Sequence, residues 1–166
     1  MDAVEDGAKP INIWSRADEE IGRLMSHFAH TPFSLDGVEF GSVEAFYSWL
    51  AWGVDGDHRE KVRSMWGARS KQACPKLKPE YFDYHGRAVR FGSDEHHELI
   101  LRANRAKLDA YPEIAWTFVA TLPRPIVHKI DGSDDPHLTF CWIMTTLRDE
   151  YAVKLGVRQP AVELSR

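Results

Sequence analysis

The chain has 166 residues and a mass of 19.0 kDa, which fits one domain of ordinary size whose core needs no disulfide or structural metal. Its composition, with 43% hydrophobic and 28% charged residues, is typical of a globular protein, and no apolar run approaches the ~20 residues of a membrane-spanning helix. The formal net charge of -4 provides no general attraction to a polyanion, so nucleic-acid contact would require a local basic patch.

The ends of the chain predict short tails around one domain. The N-terminal sequence MDAVEDGAKP is acidic and has no apolar segment of the kind found in secretory signals. We expect a flexible tail over 1–10, one domain over 11–156, a second tail over 157–166, and a cytoplasmic location. The cysteines, Cys74 and Cys141, are far apart in sequence and are expected to be reduced packing residues.

The first elements of the chain are a strand and a hairpin. The apolar run INIW at 11–14 predicts a short strand, whereas residues 21–30 form either a short helix or an irregular segment. Asp36-Gly37 then lies between two alternating runs. A hairpin is predicted over 32–40, because both central positions of a type I′ turn need positive φ.

A helix is predicted directly after this hairpin. Ser42 has the chemistry of an N-cap, because its hydroxyl can accept a hydrogen bond from the first turn. Phe46, Trp49 and Leu50 fall at i, i+3 and i+4, on one face of a helix that ends near Trp52.

The second half of the chain predicts more helices than strands. One helix is predicted over 59–73, with Gly67 weakening its middle. The remaining predicted elements are a hairpin around His85-Gly86, a helix after the capping residue Ser93, a helix over 113–121, a strand over 125–130 and a closing helix over 138–155. Because helices and strands do not alternate regularly, the predicted fold class is α+β, a mostly α-helical single domain with short β-hairpins.

The sequence has no familiar motif for a cofactor or a metal. Neither G-x-G-x-x-G nor G-x-x-x-x-G-K occurs, which disfavours dinucleotide-binding and P-loop sites. His96 and His97 are adjacent, and neighbouring residues on a helix point about 100° apart, so the two rings cannot share one ion. We expect this pair to lie at a solvated helix start, and we expect the protein to use neither a metal nor an organic cofactor.

Glu44 is the candidate catalytic residue, and its position allows two interpretations. Two places after a capping serine, a glutamate can stabilise the helix dipole by about 0.3–1 kcal/mol. The same carboxylate can instead face a cleft with aromatic walls, on which a flat base would stack. The nearby rings are those of Phe46, Tyr47 and Trp49, and we expect at least two of the three to belong to the core.

The segment from Ile13 to Tyr47 resembles the opening of the NADAR family, the NAD- and ADP-ribose-associated group that includes YbiA-like proteins. The matching motifs, in chain order, are S-H-F at 26–28 for the family's S-N-F, P-F at 32–33, D-G at 36–37 and S-V-E at 42–44. Further likeness lies in GARSKQA at 67–73, in the helix pair at 102–121 and in the closing helix at 142–151, where Arg148 takes the place of the family's arginine. The resemblance covers residues 11–152.

The resemblance implies a YbiA-like fold and N-glycosidase chemistry, in which a bond between ribose C1 and a nitrogen is hydrolysed. Implied substrates are an ADP-ribosylated base, such as ADP-ribosyl-guanine, or a ribosylated pyrimidine metabolite of the riboflavin pathway. Glu44 matches the family's key glutamate. The residues expected to contact the substrate are Trp14, Ser15, Ser26, His27, Phe28, Ser42, Phe46, Tyr47, Asp131 and Arg148.

The expected partner is therefore a small nucleotide-like molecule or an ADP-ribosylated nucleic acid, with no membrane involved and the oligomeric state open. Breaking a ribosyl C–N bond builds positive charge at C1 and the ring oxygen. A nearby carboxylate can stabilise that charge, activate water, or protonate the leaving nitrogen if its pKa is raised.

The sequence departs from the family pattern at positions that bear on mechanism. Ser48 and Ala51 stand where the family often has a glutamine and a lysine, and His27 replaces a common asparagine. An alanine cannot form an imine with the open sugar, so water or another lysine, such as Lys71 or Lys107, would have to serve.

The departures leave other interpretations open. Asp131, Asp134 or Asp135 would supply an acidic partner where the family has an acidic-Trp-Gly segment. A non-catalytic module that binds ADP-ribose or a nucleotide is the alternative to an enzyme. A second alternative is a structural or partner-binding protein, in which the aromatic residues only fill a core.

Overall fold

The computed structural model describes residues 9–130 and 138–158. The helices are α1 (Glu20–Met25), α2 (Val43–Ala51), α3 (Gly56–Arg63), α4 (Gly67–Gln72), α5 (Asp94–Ala110), α6 (Pro112–Val119) and α7 (Leu138–Lys154). The strands are β1 (Ile11–Asn12), β2 (Phe33–Leu35), β3 (Val38–Phe40), β4 (Tyr81–Tyr84), β5 (Arg87–Arg90) and β6 (Ile126–Val127). This mixture of helices and short strand pairs confirms the predicted α+β class.

The strands pair two by two. The β2–β3 and β4–β5 pairs are antiparallel hairpins, and β1 pairs in parallel with β6. Both hairpin turns have two successive residues with positive φ, Asp36 and Gly37 at 48° and 80° and His85 and Gly86 at 51° and 81°. Positive φ at both central positions defines the predicted turn chemistry, so both predicted hairpins are confirmed.

Helix α2 begins at the predicted N-cap. The Ser42 hydroxyl accepts a hydrogen bond from the backbone N–H of Ala45 at 3.0 Å and donates to the carbonyl oxygen of Met65 at 3.1 Å. Its apolar face is fully buried at Phe46 and Leu50. The cap thereby fixes the start of α2 against the chain that follows α3, and it leaves the other face of the first turn for Glu44.

The helix predicted over 59–73 is two helices, α3 and α4. Gly67 has φ +65°, which a helix interior does not allow, and its N–H donates to the carbonyl oxygen of Phe28 at 2.9 Å. The break turns α4 back onto α2, where the Ser48 hydroxyl donates to the carbonyl oxygen of Ser70 at 2.8 Å. The prediction of one continuous helix was wrong. The hydrogen bond from Gly67 to Phe28, which is distant in sequence, replaces a hydrogen bond that a continuous helix would make.

Helix α5 lies at the centre of the fold and contacts α2, α6, α7 and both hairpins. It carries two fully buried polar side chains, Asn104 and Lys107. The Lys107 ammonium donates to the carbonyl oxygens of Leu24 and Ser26 at 2.5 and 3.3 Å. These bonds hold the end of α1 and the segment that follows it against α5, and both contribute to one wall of the candidate site.

Candidate functional site

A cavity of about 1810 Å³ lies between α2, α4, the start of α5 and the start of α7. Its other walls come from the segments after β1 and α1 and from the loop after α4. The predicted site residues that line it are Trp14, Ser15, Ser26, His27, Phe28, Glu44 and Tyr47. The fold therefore brings residues of three separate segments, 14–15, 26–28 and 44–47, to one cavity.

Three predicted contact residues do not line this cavity. Phe46 is fully buried in the core, and Ser42 is fully buried as the N-cap of α2. The Arg148 guanidinium is buried and donates to the hydroxyl of Thr121 at 3.0 Å and to the carbonyl oxygen of Arg124 at 2.7 Å. These side chains hold the fold together and are not part of the candidate site. Asp131, Asp134 and Asp135 lie outside the described residues.

Glu44 lies on the first turn of α2 with its side chain half-buried at the cavity wall. Among the described residues, no hydrogen bond or ion pair joins its carboxylate to another group. Burial raises the pKa of Glu44, while the positive charges of Lys71 and Lys78 act in the opposite direction. A carboxyl group with a raised pKa keeps its proton to a higher pH than an exposed glutamate does, and one that faces a cavity is a candidate proton donor or acceptor.

His27 lies beside Glu44, because the backbone N–H of Glu44 donates to the carbonyl oxygen of His27 at 3.0 Å. The imidazole Nε2 lies 3.1 Å from the side-chain amide nitrogen of Asn104, and the ring meets Phe140 edge-on with centroids 4.8 Å apart. Burial, together with the nearby charges of Lys107 and His128, lowers the pKa of His27 to about 3. The ring is therefore neutral at physiological pH.

Three aromatic rings form another part of the cavity wall. Tyr47, Phe91 and His96 all line the cavity, and the His96 ring lies 4.4 Å from Phe91 and 5.7 Å from Tyr47, centroid to centroid. Burial lowers the pKa of His96 to about 4, and its Nδ1 accepts the N–H of Gly92 at 3.1 Å. The expectation that His96 is solvated was wrong, because the β4–β5 hairpin and Phe82 cover it.

The cavity has a basic lining that the overall charge did not predict. The cationic residues are Arg16, Arg23, Lys71, Lys76 and Lys78, and Glu44 is the one carboxylate among the described lining residues. Three of the cations fall in the segment SKQACPKLK at 70–78. This cluster of lysines is the feature of the sequence that could have indicated the basic part of the cavity.

Of the two lysines that could replace the amine expected at position 51, one lines the cavity and the other does not. Ala51 is only 3% exposed and does not line the cavity, since α4 packs over this face of α2. Lys107 is fully buried and bonded to backbone carbonyl groups, so its ammonium cannot reach a sugar. Lys71 lines the cavity on α4.

No group of three or more His, Cys, Asp or Glu side chains in the described ranges is placed to hold a metal ion. Of the described helices, none is both long and apolar enough to cross a membrane. Cys74 and Cys141 are both partly buried thiols, and Cys74 lies in the cavity wall.

No protein-family model and no curated protein matches this chain. In structure, the chain is similar to the E. coli protein YbiA, whose structure was determined by NMR. The TM-score is 0.68 at 18% sequence identity, and the match covers 93% of this chain and 91% of that one. At this identity the similarity shows the fold alone, and the chain has the YbiA-like fold that the resemblance implied.

Proposed function

We propose that the protein is an N-glycosidase that hydrolyses a ribosyl C–N bond. The substrate is an ADP-ribosylated base, such as ADP-ribosyl-guanine, or a ribosylated pyrimidine metabolite of the riboflavin pathway. The observation that carries the proposal is the Glu44 carboxylate, which faces a large cavity without an ion-pair partner among the described residues and has a raised pKa.

Glu44 has a defined task in this reaction. The bond between ribose C1 and the base nitrogen breaks, the base nitrogen takes a proton, and the oxygen of a water molecule bonds to C1. Glu44 begins protonated, a form that its raised pKa favours, and delivers that proton to the leaving nitrogen as the C–N bond breaks. The carboxylate that results stabilises the positive charge at C1 and then accepts a proton from the attacking water, which returns Glu44 to its starting form.

The rest of the cavity supports a nucleotide-like ligand. Tyr47 and Phe28 are half-buried rings in the wall, and aromatic faces of this kind suit the stacking of a flat base. Lys71 and Lys78 line the same cavity and provide ammonium groups for phosphate oxygens. A volume of about 1810 Å³ exceeds the roughly 300–1,000 Å³ of most small-molecule sites, so the cavity has room for a ligand as large as an ADP-ribosyl group.

The alternative is a non-catalytic module that binds ADP-ribose or a nucleotide in this cavity. A specific observation favours it, because position 51 of α2 carries an alanine that is 3% exposed, where the resemblance implies a lysine. Without that amine, hydrolysis has to proceed through water and Glu44, or through Lys71.

Mass spectrometry of reaction products distinguishes these functions. The protein would be incubated in heavy-oxygen water with an oligonucleotide that carries ADP-ribosyl-guanine and with a ribosylated aminopyrimidine phosphate. Hydrolysis predicts the free base or base-bearing product and a ribose that carries solvent oxygen at C1. Borohydride in the same reaction reports an imine, and a label on Lys71 would assign the nucleophile.

Binding of ADP-ribose without release of a base would contradict the glycosidase and support the module. Neither binding nor release with any of these compounds would contradict both functions.

A further inference from the structure

The side-chain amide of Asn104 has a defined orientation. Its nitrogen lies 2.9 Å from the carbonyl oxygen of Ile100 and 3.1 Å from Nε2 of His27. The Ile100 oxygen can only accept a hydrogen bond. With the amide reversed, two oxygen atoms would face each other at that distance, so the amide nitrogen is the atom that faces both groups.

This orientation determines where the hydrogen of the His27 ring lies. The second amide hydrogen of Asn104 is donated to Nε2 of His27, so Nε2 must carry a lone pair. In a neutral imidazole the hydrogen is then on Nδ1. A doubly protonated ring would point its Nε2–H at an amide hydrogen of Asn104, so this form is disfavoured. The low pKa of His27, about 3, agrees with a neutral ring.

The Nδ1–H group is free to act on a ligand. Among the described residues, Nδ1 of His27 has no hydrogen-bond partner. This nitrogen is not fully buried. The fully buried side-chain atoms that lack a hydrogen-bond partner in the described residues are His96 Nε2, Asn104 Oδ1 and Arg148 Nε. The His27 ring lines the cavity, so this N–H remains reachable from it.

The donor lies in a fixed position relative to Glu44. The backbone bond from Glu44 N–H to the His27 carbonyl joins the two residues at 3.0 Å, and both line the same cavity. Phe140 packs edge-on against the ring, which, together with Asn104, restricts its rotation.

We propose that His27 is a specificity-determining residue that presents a fixed, uncharged Nδ1–H donor to an acceptor oxygen or nitrogen of the bound nucleotide, beside Glu44. The inference rests on the proposed function in that the ligand is nucleotide-like. An uncharged donor of fixed direction selects ligands with an acceptor at this point and rejects those with a donor there.

The tautomer can be measured in the free protein. Long-range proton–nitrogen correlation spectra distinguish a protonated from an unprotonated ring nitrogen. We expect Nδ1 of His27 to be protonated and Nε2 to be unprotonated from about pH 5 to about pH 8. A ring protonated on Nε2, or on both nitrogens, in this range would overturn the inference without reference to any ligand.

Two variants at position 27 test the contact, with ADP-ribose as the probe in calorimetry. His27→Asn keeps an amide near the position of Nδ1, whereas His27→Gln places its amide near Nε2 and loses the donor that faces the cavity. We expect His27→Asn to bind within about threefold of the parent, and His27→Gln to bind at least about tenfold more weakly. Thermal unfolding of both variants shows that each is folded.

The outcomes separate this inference from the proposed hydrolysis. The expected pattern of affinities without any base release would contradict the hydrolysis and support the donor role of His27. Equal affinity of His27→Gln and the parent would overturn the donor role even if hydrolysis is observed. A parent that binds no ADP-ribose would overturn the donor role of His27, whereas base release decides the proposed hydrolysis separately.

Discussion

Burial of the Glu44 carboxyl group disfavours its charged form, and no described residue forms an ion pair with it. A residue that served only the helix dipole would gain more from full exposure to water at the end of α2. Ionisable groups that a fold holds in such an unfavourable position are typical of functional sites.

The stability of Glu44→Gln provides the first prediction. Because the folded-state pKa of Glu44 is raised above the ordinary 4.5, the stability that the protonated group contributes is lost as pH rises through the folded pKa. At about pH 7 the glutamine variant, which carries no charge, should have a free energy of unfolding equal to or above that of the parent. Urea unfolding measures the difference, which should disappear well below the ordinary pKa. A variant that is clearly less stable than the parent at neutral pH would contradict a raised pKa of Glu44.

At the scale of elements, the site depends on the break between α3 and α4. Gly67 has φ +65° and would meet no atom within 4 Å if it carried a Cβ. A side chain at this position would therefore meet no steric clash with other residues, and its cost comes only from the left-handed backbone conformation. Gly67→Ala should therefore destabilise the protein by about 1–2 kcal/mol, measured by urea unfolding.

Gly56 is the matched control for this prediction. It begins α3, a Cβ added to it would also meet no atom within 4 Å, and it does not have positive φ. Gly56→Ala should be neutral or stabilising, because alanine has the higher helix propensity. Equal effects of the two substitutions would show that the conformation at Gly67 does not direct α4 toward α2.

The two hairpins are joined by one polar cluster. The Tyr84 hydroxyl donates to Asp36 at 2.5 Å, and the Arg102 guanidinium donates to both Asp36 oxygens at 2.7 and 2.8 Å. The bond from Tyr84 and the charge of Arg102 lower the pKa of Asp36. This cluster ties the β2–β3 turn to β4 and to α5.

Tyr84→Phe should lower the free energy of unfolding by about 1–2 kcal/mol, since it removes a hydrogen bond to a charged acceptor. The lowered pKa of Asp36 adds stability above its unfolded pKa, and that stability is lost as pH falls through the folded pKa. The effect of the substitution should therefore shrink in acid. Tyr81→Phe on the same strand, where the ring is 54% exposed, is the control and should have little effect. If both substitutions cost the same, the cluster does not join the hairpins.

Local signals explain which parts of the fold the sequence could predict. The Asp36-Gly37 turn and the Ser42 cap are specified by a few adjacent residues, and both were predicted correctly. The break at Gly67 includes a bond to Phe28, and the burial of His96 comes from a hairpin that packs over it. Such contacts join distant segments, so propensity and spacing did not reveal them.

For the candidate site, position and resemblance both pointed to Glu44, which lines the cavity and whose role stays a prediction. Phe46 and Ser42 were expected to contact the substrate as well, but both are fully buried away from the cavity on α2 and at its cap. The pair of His27 and Asn104 is separated by 77 residues. No pattern in one sequence links two such residues, and only the packing of α5 against the segment after α1 does so.

At the scale of the whole molecule, charge is distributed unevenly. The chain has a net charge of -4, but five Lys and Arg residues line the cavity, with Glu44 as the one carboxylate among its described residues. The positive charges among the described lining residues attract anionic ligands to the site, although the net charge of the chain gives no general affinity for polyanions.

Lys71→Met should weaken ADP-ribose binding by about three- to tenfold and reduce its dependence on salt, because one charge that attracts phosphate is removed. Lys61→Met is the control, since Lys61 is exposed on α3 and does not line the cavity. Calorimetry at low and high salt measures both effects. Unchanged affinity and salt dependence in Lys71→Met would remove Lys71 from the phosphate-binding set.

Whether Glu44 carries out hydrolysis is decided by the rate of base release by the parent and by Glu44→Gln. The substrates are an oligonucleotide with ADP-ribosyl-guanine and a ribosylated aminopyrimidine phosphate. We expect the parent to release the base from at least one of these substrates and the variant to be at least about 100-fold slower. ADP-ribose binding should persist in the variant, because the shape of the cavity is kept. Release at the same rate by both proteins would contradict the account, since Glu44 would then serve only the start of α2.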